Sequence, residues 1–445
     1  TLHVPDQGED FLPNFRPGDS IYLYAYTDTP NPTGAILFKG SIVAMSQHSI
    51  TVHLNDGQQN EHILADSTYA VEHSGSDNTF TANLRSLSEL IHAPSDRRQL
   101  LLSQREPTAD TSRRLTRPYS PTYDATLLKV KQANDFFLIV GPPGTGKTSM
   151  ALQYIVRDAF ADNPQPSLLL MSYTNRAVDE ICGMLDDNGF DYIRIGHELS
   201  CAPAYASHLL SQKIGTSPKL NDMRQLLHDT HIVVGTTSMI QARAYLFDIM
   251  HFSLAVIDEA SQILEPNIIG LLASHRGNSG PQCSHSCDID KFILIGDYKQ
   301  LPAVVQQNDA DSAVTEPSLC AIGLTDCRLS FFERMLRLLG KDNPAYSFLL
   351  NRQGRMHPDI ADFPNVAFYN NMLQPVPLPH QKEPTADEGT GADKLEDLLL
   401  TRRLAFIDCE PCLKAGEADK VNSVEASVIA DVVVTARKML GETYD

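Results

Sequence analysis

The sequence predicts an α/β fold built on a doubly wound parallel sheet, with a small all-β domain ahead of it. Three observations predict it. Residues 141–149 read GPPGTGKTS, between the apolar run Phe136-Phe137-Leu138-Ile139-Val140 and a helix-like segment, 150–156. That is G-x-x-x-x-G-K-[ST] in its strand–loop–helix setting. Short apolar runs then alternate with helical patterns, which implies parallel strands with ligand sites beyond their carboxyl ends. Before residue 80 the texture differs: short alternating runs separated by turn-formers, as in a small β-barrel.

Composition bounds the reading. The chain has 445 residues, long enough for two to four domains, with 42% hydrophobic and 20% charged residues. That composition describes a soluble globular protein. No apolar stretch approaches a membrane span and no segment resembles a signal peptide. A start at Thr1 rather than Met suggests a fragment or a processed product. Eight scattered cysteines suggest free thiols in a reducing, cytoplasmic setting. The net charge of −19 argues against indiscriminate adhesion to nucleic acid but leaves room for a local basic channel.

In chain order, residues 1–13 are polar and read as a linker. Strand-like runs follow at 20–26, 35–38, 40–44 and 49–54, and residues 14–79 form the predicted β-barrel. Residues 80–104 carry Leu84, Leu87, Leu90 and Ile91 on one face, so 80–118 reads as a helical stalk and a basic, Pro-punctuated connector. Candidate strands of the sheet are 136–140, 167–172, 192–195, 231–235, 253–257 and 292–295, with helices at 178–185 and 220–228. A second α/β unit is predicted to begin with a strand at 347–350 and a helix at 359–368. A surface loop at 375–397, a strand at 404–407 and a helix at 422–440 follow. In that helix Asn422 and Glu425 resemble a capping box.

The phosphate loop supplies the first chemistry. Gly141, Gly144 and Gly146 permit backbone shapes that a β-carbon would block, so the loop of Gly141, Pro142, Pro143, Gly144, Thr145, Gly146, Lys147, Thr148 and Ser149 can turn its N–H groups, which the two prolines lack, on a triphosphate. Lys147 would reach the β- and γ-phosphates, and the Thr148 hydroxyl would hold Mg²⁺. The apolar run 253–257 ends in Asp258-Glu259. A chance Asp-Glu at a strand end is common; downstream of a phosphate loop, Asp258 would orient Mg²⁺ and Glu259 would polarise the attacking water. A third strand delivers Gly296-Asp297-Tyr298-Lys299-Gln300-Leu301-Pro302, where the Gln300 amide could donate to a γ-phosphate and accept from its water. Cys283, His285 and Cys287, the CxxC at Cys409 and Cys412, and the acidic run 383–397 are weaker features, read respectively as a candidate metal cluster, a candidate redox pair and a solvated loop.

GPPGTGKTS at 141–149, DEASQ at 258–262, GDYKQLP at 296–302 and QGRMHP at 353–358, in this order, resemble the superfamily-one helicases. Within them the chain is similar to the group of the nonsense-mediated-decay helicase and the replication nuclease-helicase. The resemblance implies a RecA-like first core at 119–340 and part of a second at 341–445, with the barrel and stalk as an insertion associated with the first core. It implies ATP and Mg²⁺ as cofactors, and Arg355 as a γ-phosphate contact from the second core. It further implies that Thr174, Asn175, Thr236 and Thr237 hold the backbone of single-stranded nucleic acid, DNA ahead of RNA. The chain departs from the family in two places. Residues 121–130 offer Tyr123, Asp124 and Thr126 but no adenine-reading glutamine, Gln132 lying close to the strand, and Gly354 stands where an aromatic often precedes the arginine. The expected activity is an ATP-dependent helicase or translocase. The rivals are a ring-forming remodelling ATPase, whose phosphate loop is the same, and an ATP-switched nucleic-acid-binding module.

Overall fold

The computed structural model describes residues 1–5, 14–55, 68–74, 77–215, 220–276, 287–305, 307–339, 345–384, 391, 393–408 and 422–441. They fall into two compact units: residues 1–140 with 147–348, and residues 141–146 with 349–445.

In the first unit, β1 (Leu2–His3), β2 (Ser20–Tyr26), β3 (Phe38–Ser46), β4 (Ser49–Leu54) and β5 (Thr68–His73) form a five-stranded antiparallel sheet in the order β1-β4-β3-β2-β5. Alternation puts Ile21, Leu23, Phe38, Ile42 and Ile50 into one apolar cluster. Two expectations change here. The segment 1–13 is not wholly a linker, because Leu2 pairs with Ile50 at the sheet edge; residues 6–13 lie outside the described residues. The runs 35–38 and 40–44 are not two strands, since a single strand starts at Phe38 and bulges between Ile42 and Ala44.

The predicted stalk helix is two helices, α1 (Asp77–His92) and α2 (Ser95–Leu101). Pro94 separates them, because its ring blocks helix continuation and it has no N–H to give. Both pack on the core that follows. Ser86 Oγ accepts from Gly270 N–H at 2.8 Å, and Arg97 donates to the carbonyls of Leu272 (2.8 Å) and Ile289 (3.1 Å).

That core begins with α3 (Asp124–Gln132) and β6 (Phe136–Val140), and continues through α4 (Gln153–Asp162), β7 (Leu168–Ser172), α5 (Asn175–Asp187), β8 (Ile193–Ile195), β9 (Ile232–Thr236), β10 (Phe252–Ile257), β11 (Ile289–Gly296) and β12 (Ser347–Leu349). These strands form a seven-stranded sheet in the order β12-β6-β11-β10-β7-β9-β8, with β6 through β8 parallel to their neighbours. Every residue of β6, β7 and β9 is buried, as a sheet covered on both faces requires. Residues 347–350 therefore do not open a second sheet. Leu138 N–H donates to Tyr346 O at 2.9 Å, and β12 becomes the neighbour of β6.

The second unit contains the short parallel pair β13 (Arg352–Gln353) and β14 (Gln374–Pro375) and helices Pro358–Tyr369, Lys394–Thr401 and Ser423–Leu440. The last is capped by Asn422, whose side chain accepts from Val424 and Glu425 N–H at 3.1 Å each. The expected loop 375–397 gives way at its end to a helix, because Asp393 caps the N–H groups of Leu395 and Glu396. The expected strand 404–407 is irregular and exposed, and Phe406 is 92% exposed.

Candidate nucleotide site

Parallel pairing brings the carboxyl ends of β6, β7, β9, β10 and β11 to one edge of the sheet, with Gly296 beside Val140, Ile257 beside Leu294 and Met171 beside Ile257. The predicted site residues of the first unit lie at that edge. Lys147 opens a π-helical turn, Lys147–Leu152, that leads into α4. Its Nζ lies 3.2 Å from Glu259 Oε1, and the Thr148 hydroxyl donates to Asp258 Oδ2.

Asp258 is buried, and its backbone joins two more strand ends: its N–H donates to Met171 O at 2.8 Å, and its carbonyl accepts from Ser172 Oγ at 3.1 Å. Burial pushes its carboxyl pKa above the ordinary value, with the Thr148 hydroxyl and Lys147 opposing. A buried carboxylate touching a threonine hydroxyl is a pair of hard oxygen donors short of positive charge, so these residues fit Mg²⁺.

Glu259 has φ +52°, the left-handed region that a non-glycine residue avoids. Lys147 and the Gln262 amide (3.2 Å to Oε2) hold its two carboxylate oxygens. Such conformations concentrate at functional sites. The sequence gives no sign of it.

The third loop is wired to the second. Asp297 N–H donates to Ser261 Oγ at 3.1 Å, and Gln300 Nε2 donates to Asp297 Oδ2 at 2.8 Å. A β-carbon on Gly296 would fall 2.8 Å from Ser261 N, so only glycine lets the two backbones approach. Sequence reading singled out neither Ser261 nor Asp297. A serine two residues past the Glu and an aspartate after the glycine were the available signals.

Two of the four residues assigned to the nucleic-acid backbone have local duties. Thr174 caps α5 by accepting from Ala177 N–H at 3.1 Å, and Asn175 is exposed beside it. Thr236 caps helix Thr237–Ala242 through Met239 N–H at 3.2 Å, and Thr237 is 2% exposed. Upstream, Gln132 is buried with its amide on the Thr111 and Arg113 carbonyls (3.2 and 3.3 Å). Tyr123 packs on Tyr154 with ring centroids 5.8 Å apart, and Asp124 accepts from the N–H groups of Tyr119 and Ser120.

In the second unit, Gln353 is buried and braces its turn, accepting from Arg355 N–H (3.2 Å) and Met356 N–H (2.9 Å). Gln381 supports the same turn through the Gln353 and Met356 carbonyls. Arg355 is exposed. His357 and Pro358, which the sequence left without roles, start a helix: His357 Nδ1 accepts from Asp359 N–H at 3.2 Å, and Pro358 occupies the first helical position, where no N–H is needed. Gly144, with φ +75°, groups with this unit, and its carbonyl accepts from Gly354 N–H at 2.8 Å. Cys283, His285, Cys409 and Cys412 lie outside the described residues; among those described, no group of three His, Cys, Asp or Glu side chains is arranged to hold a metal ion.

A parallel sheet whose carboxyl edge gathers a phosphate-loop lysine and threonine with an Asp-Glu pair defines a phosphate-loop nucleoside triphosphatase. Family models described as AAA domain match residues 122–223 and 210–308, and a second of that description matches 327–443. The DNA replication ATP-dependent helicase/nuclease DNA2 of Saccharomyces cerevisiae is 27% identical over 354 residues, covering 73% of this chain and 21% of that protein. Its Homo sapiens namesake is 28% identical over 307 residues, covering 66% and 26%. The chain thus spans about a quarter of the length of these relatives. Among solved structures, an Arterivirus nonstructural protein 10 (helicase) is similar over 82% of this chain and 59% of that one, at 12% identity and a TM-score of 0.37. The chain belongs to the superfamily-one helicases, in the group of the nonsense-mediated-decay helicase and the replication nuclease-helicase.

Proposed function

We propose that this chain is the motor of an ATP-dependent helicase or translocase on single-stranded nucleic acid, DNA ahead of RNA. The observation that carries the reading is the convergence of Lys147, Thr148, Asp258 and Glu259 at one sheet edge, with the Gln300 loop bonded to the loop that follows Glu259.

In this reading the phosphate loop, residues 141–149, holds the triphosphate, with Lys147 on its outer phosphates. Thr148 and Asp258 hold Mg²⁺, which supplies charge neutralisation at the phosphates when bound. Glu259 takes the proton of the attacking water, for which its carboxylate must leave Lys147. Arg355 adds positive charge at the γ-phosphate. Thr174, Asn175 and Thr236 track the strand by its phosphates, which carries no sequence information. The capping roles of Thr174 and Thr236 support this reading, since a capped helix N-terminus turns its remaining N–H groups toward an anion. Thr237 is too buried to touch a strand directly and would act by packing.

The domain reading follows suit. The antiparallel sheet and α1–α2 form the barrel-and-stalk insertion of a first RecA-like core, and the second unit is part of a second core. Its boundary is drawn at 348 rather than 340, where the contacts divide. Among the described residues no helix is long and apolar enough to cross a membrane. Free Cys182, Cys201, Cys320 and Cys327 support a reducing, cytoplasmic setting.

The test is steady-state ATP hydrolysis with and without single strands. Stimulation by strands is expected. Turnover indifferent to strands favours a remodelling ATPase, and strand binding that responds to ATP without turnover favours a switched binding module.

A further inference from the structure

The loop after β11 carries a carboxylate with no assigned role. Asp297 is fully buried, and a buried carboxylate requires hydrogen-bond donors around it. Oδ1 accepts from Lys299 N–H at 3.1 Å, and Oδ2 accepts from Gln300 Nε2 at 2.8 Å. Both Asp297 oxygens accept here, which settles which end of the Gln300 amide faces them. The nitrogen turns toward Asp297. What Gln300 keeps for other partners is its carbonyl oxygen and one N–H. Asp297 is itself held by Ser261, two residues past Glu259, through its backbone N–H.

We propose that Asp297 is a positioning residue for Gln300, fixing the amide nitrogen-inward so that its carbonyl oxygen is the acceptor offered to the reacting water. Ser261 locks this loop to the one bearing Glu259, so the two groups that handle water keep a fixed spacing. The proposal rests on the hydrolytic reading of the site.

Asp297→Asn separates this role from simple packing. Lys299 N–H belongs to the backbone and cannot turn, so the asparagine oxygen stays with it. The asparagine nitrogen then faces Gln300, which must rotate end for end to present its oxygen inward. Size and burial are unchanged.

Two measurements test it. The first uses nucleotide-free protein labelled with ¹⁵N-glutamine, the Gln300 side-chain amide being identified by its loss in Gln300→Ala. In the parent, one amide proton of Gln300 should be shifted downfield and slow to exchange, and Asp297→Asn should abolish both features. A Gln300 amide that already behaves like a free surface glutamine in the parent overturns the proposal, whatever the variants do. The second is strand-stimulated turnover. Asp297→Asn should lower kcat by about tenfold or more, with KM for ATP within about twofold. In a Gln300→Ala background the same change should alter kcat by less than about twofold, because a residue acting only through Gln300 has nothing left to position. An equal loss in both backgrounds overturns the proposal. A held Gln300 amide in a parent without strand-stimulated turnover supports the positioning and overturns the helicase reading instead.

Discussion

Replacing Glu259 by Gln should move binding and turnover in opposite directions. Lys147 and Glu259 form an ion pair at 3.2 Å, with the side chains 11% and 25% exposed. A nucleotide that recruits Lys147 to its phosphates must compete with that pair. Pairs this close to solvent are worth about 0.2–1 kcal/mol, so neutralising Glu259 should tighten nucleotide binding by at most about fivefold. Turnover should fall far more. Loss of a positioned general base costs about a hundredfold or more, roughly 2.7 kcal/mol of barrier. Glutamine can still accept from the Gln262 amide, so the loop should keep its shape. Titration with a fluorescent nucleotide gives the affinity, and steady-state phosphate release gives the rate. Near-parental turnover would show that Glu259 is not the base. Weaker binding, with turnover lost, would show that the Lys147–Glu259 pair does not compete with nucleotide.

Other consequences follow from named contacts. Thr174→Ala and Asn175→Ala should weaken single-strand binding equally for all sequences, and parent affinity should fall steeply with salt; an affinity blind to salt would point away from backbone contacts. Thr174→Ser serves as control because it retains the cap on Ala177 N–H. Lys291 is lowered to about 7, first by burial and then by Arg113 and Lys131, against Asp158 and Asp162. The unfolded chain therefore binds more protons between about pH 7 and the ordinary lysine value, so the penalty is complete below about 7 and lifts as pH rises toward 10.5. Lys291→Met should accordingly stabilise the protein at pH 6–7, by about a few kcal/mol at most, with the gain fading by about pH 10; a gain independent of pH in denaturant titrations would contradict this. Arg334, fully buried, makes two bonds to Glu265 (2.7 and 2.8 Å) and donates to the carbonyls of Ile322 and Leu101. Glu265→Ala should cost about 3–5 kcal/mol by stranding the guanidinium, and joint replacement by Arg334→Met and Glu265→Leu should cost much less; equal costs in denaturant unfolding would show that burial of the lone charge is not the cause.

The sequence alone determined what depends on local chemistry. An unbroken apolar run at 136–140 leading straight into the phosphate loop reads as a buried strand, and the apolar runs leading into Asp258 and Gly296 read as strands too. Parallel strands share one carboxyl edge, so the three motifs had to converge once the alternation was read. The helix starting after Asn422 was equally legible, because a cap acts within three residues of itself.

Tertiary structure decided everything that rests on contacts between distant residues. No local pattern says that residues 347–349 join the first sheet beside β6, because strand pairing is set by whichever edge is open. Nor does one say that 404–407, apolar enough for a strand, stays irregular and exposed. Apolar spacing continues on both sides of Pro94, and the separation of α1 from α2 shows only in the fold. Within the site, the sequence named the groups, but not that Glu259 sits in a left-handed conformation. It could not show that Asp297 orients Gln300, or that Ser261 bonds across 36 residues to hold that loop. Thr174 and Thr236 were visible as threonines at strand ends, and only the fold shows that both hydroxyls already cap helices. Residue types and their spacing fix which chemistry is possible; partners far apart in sequence fix which atom of each residue is left to perform it.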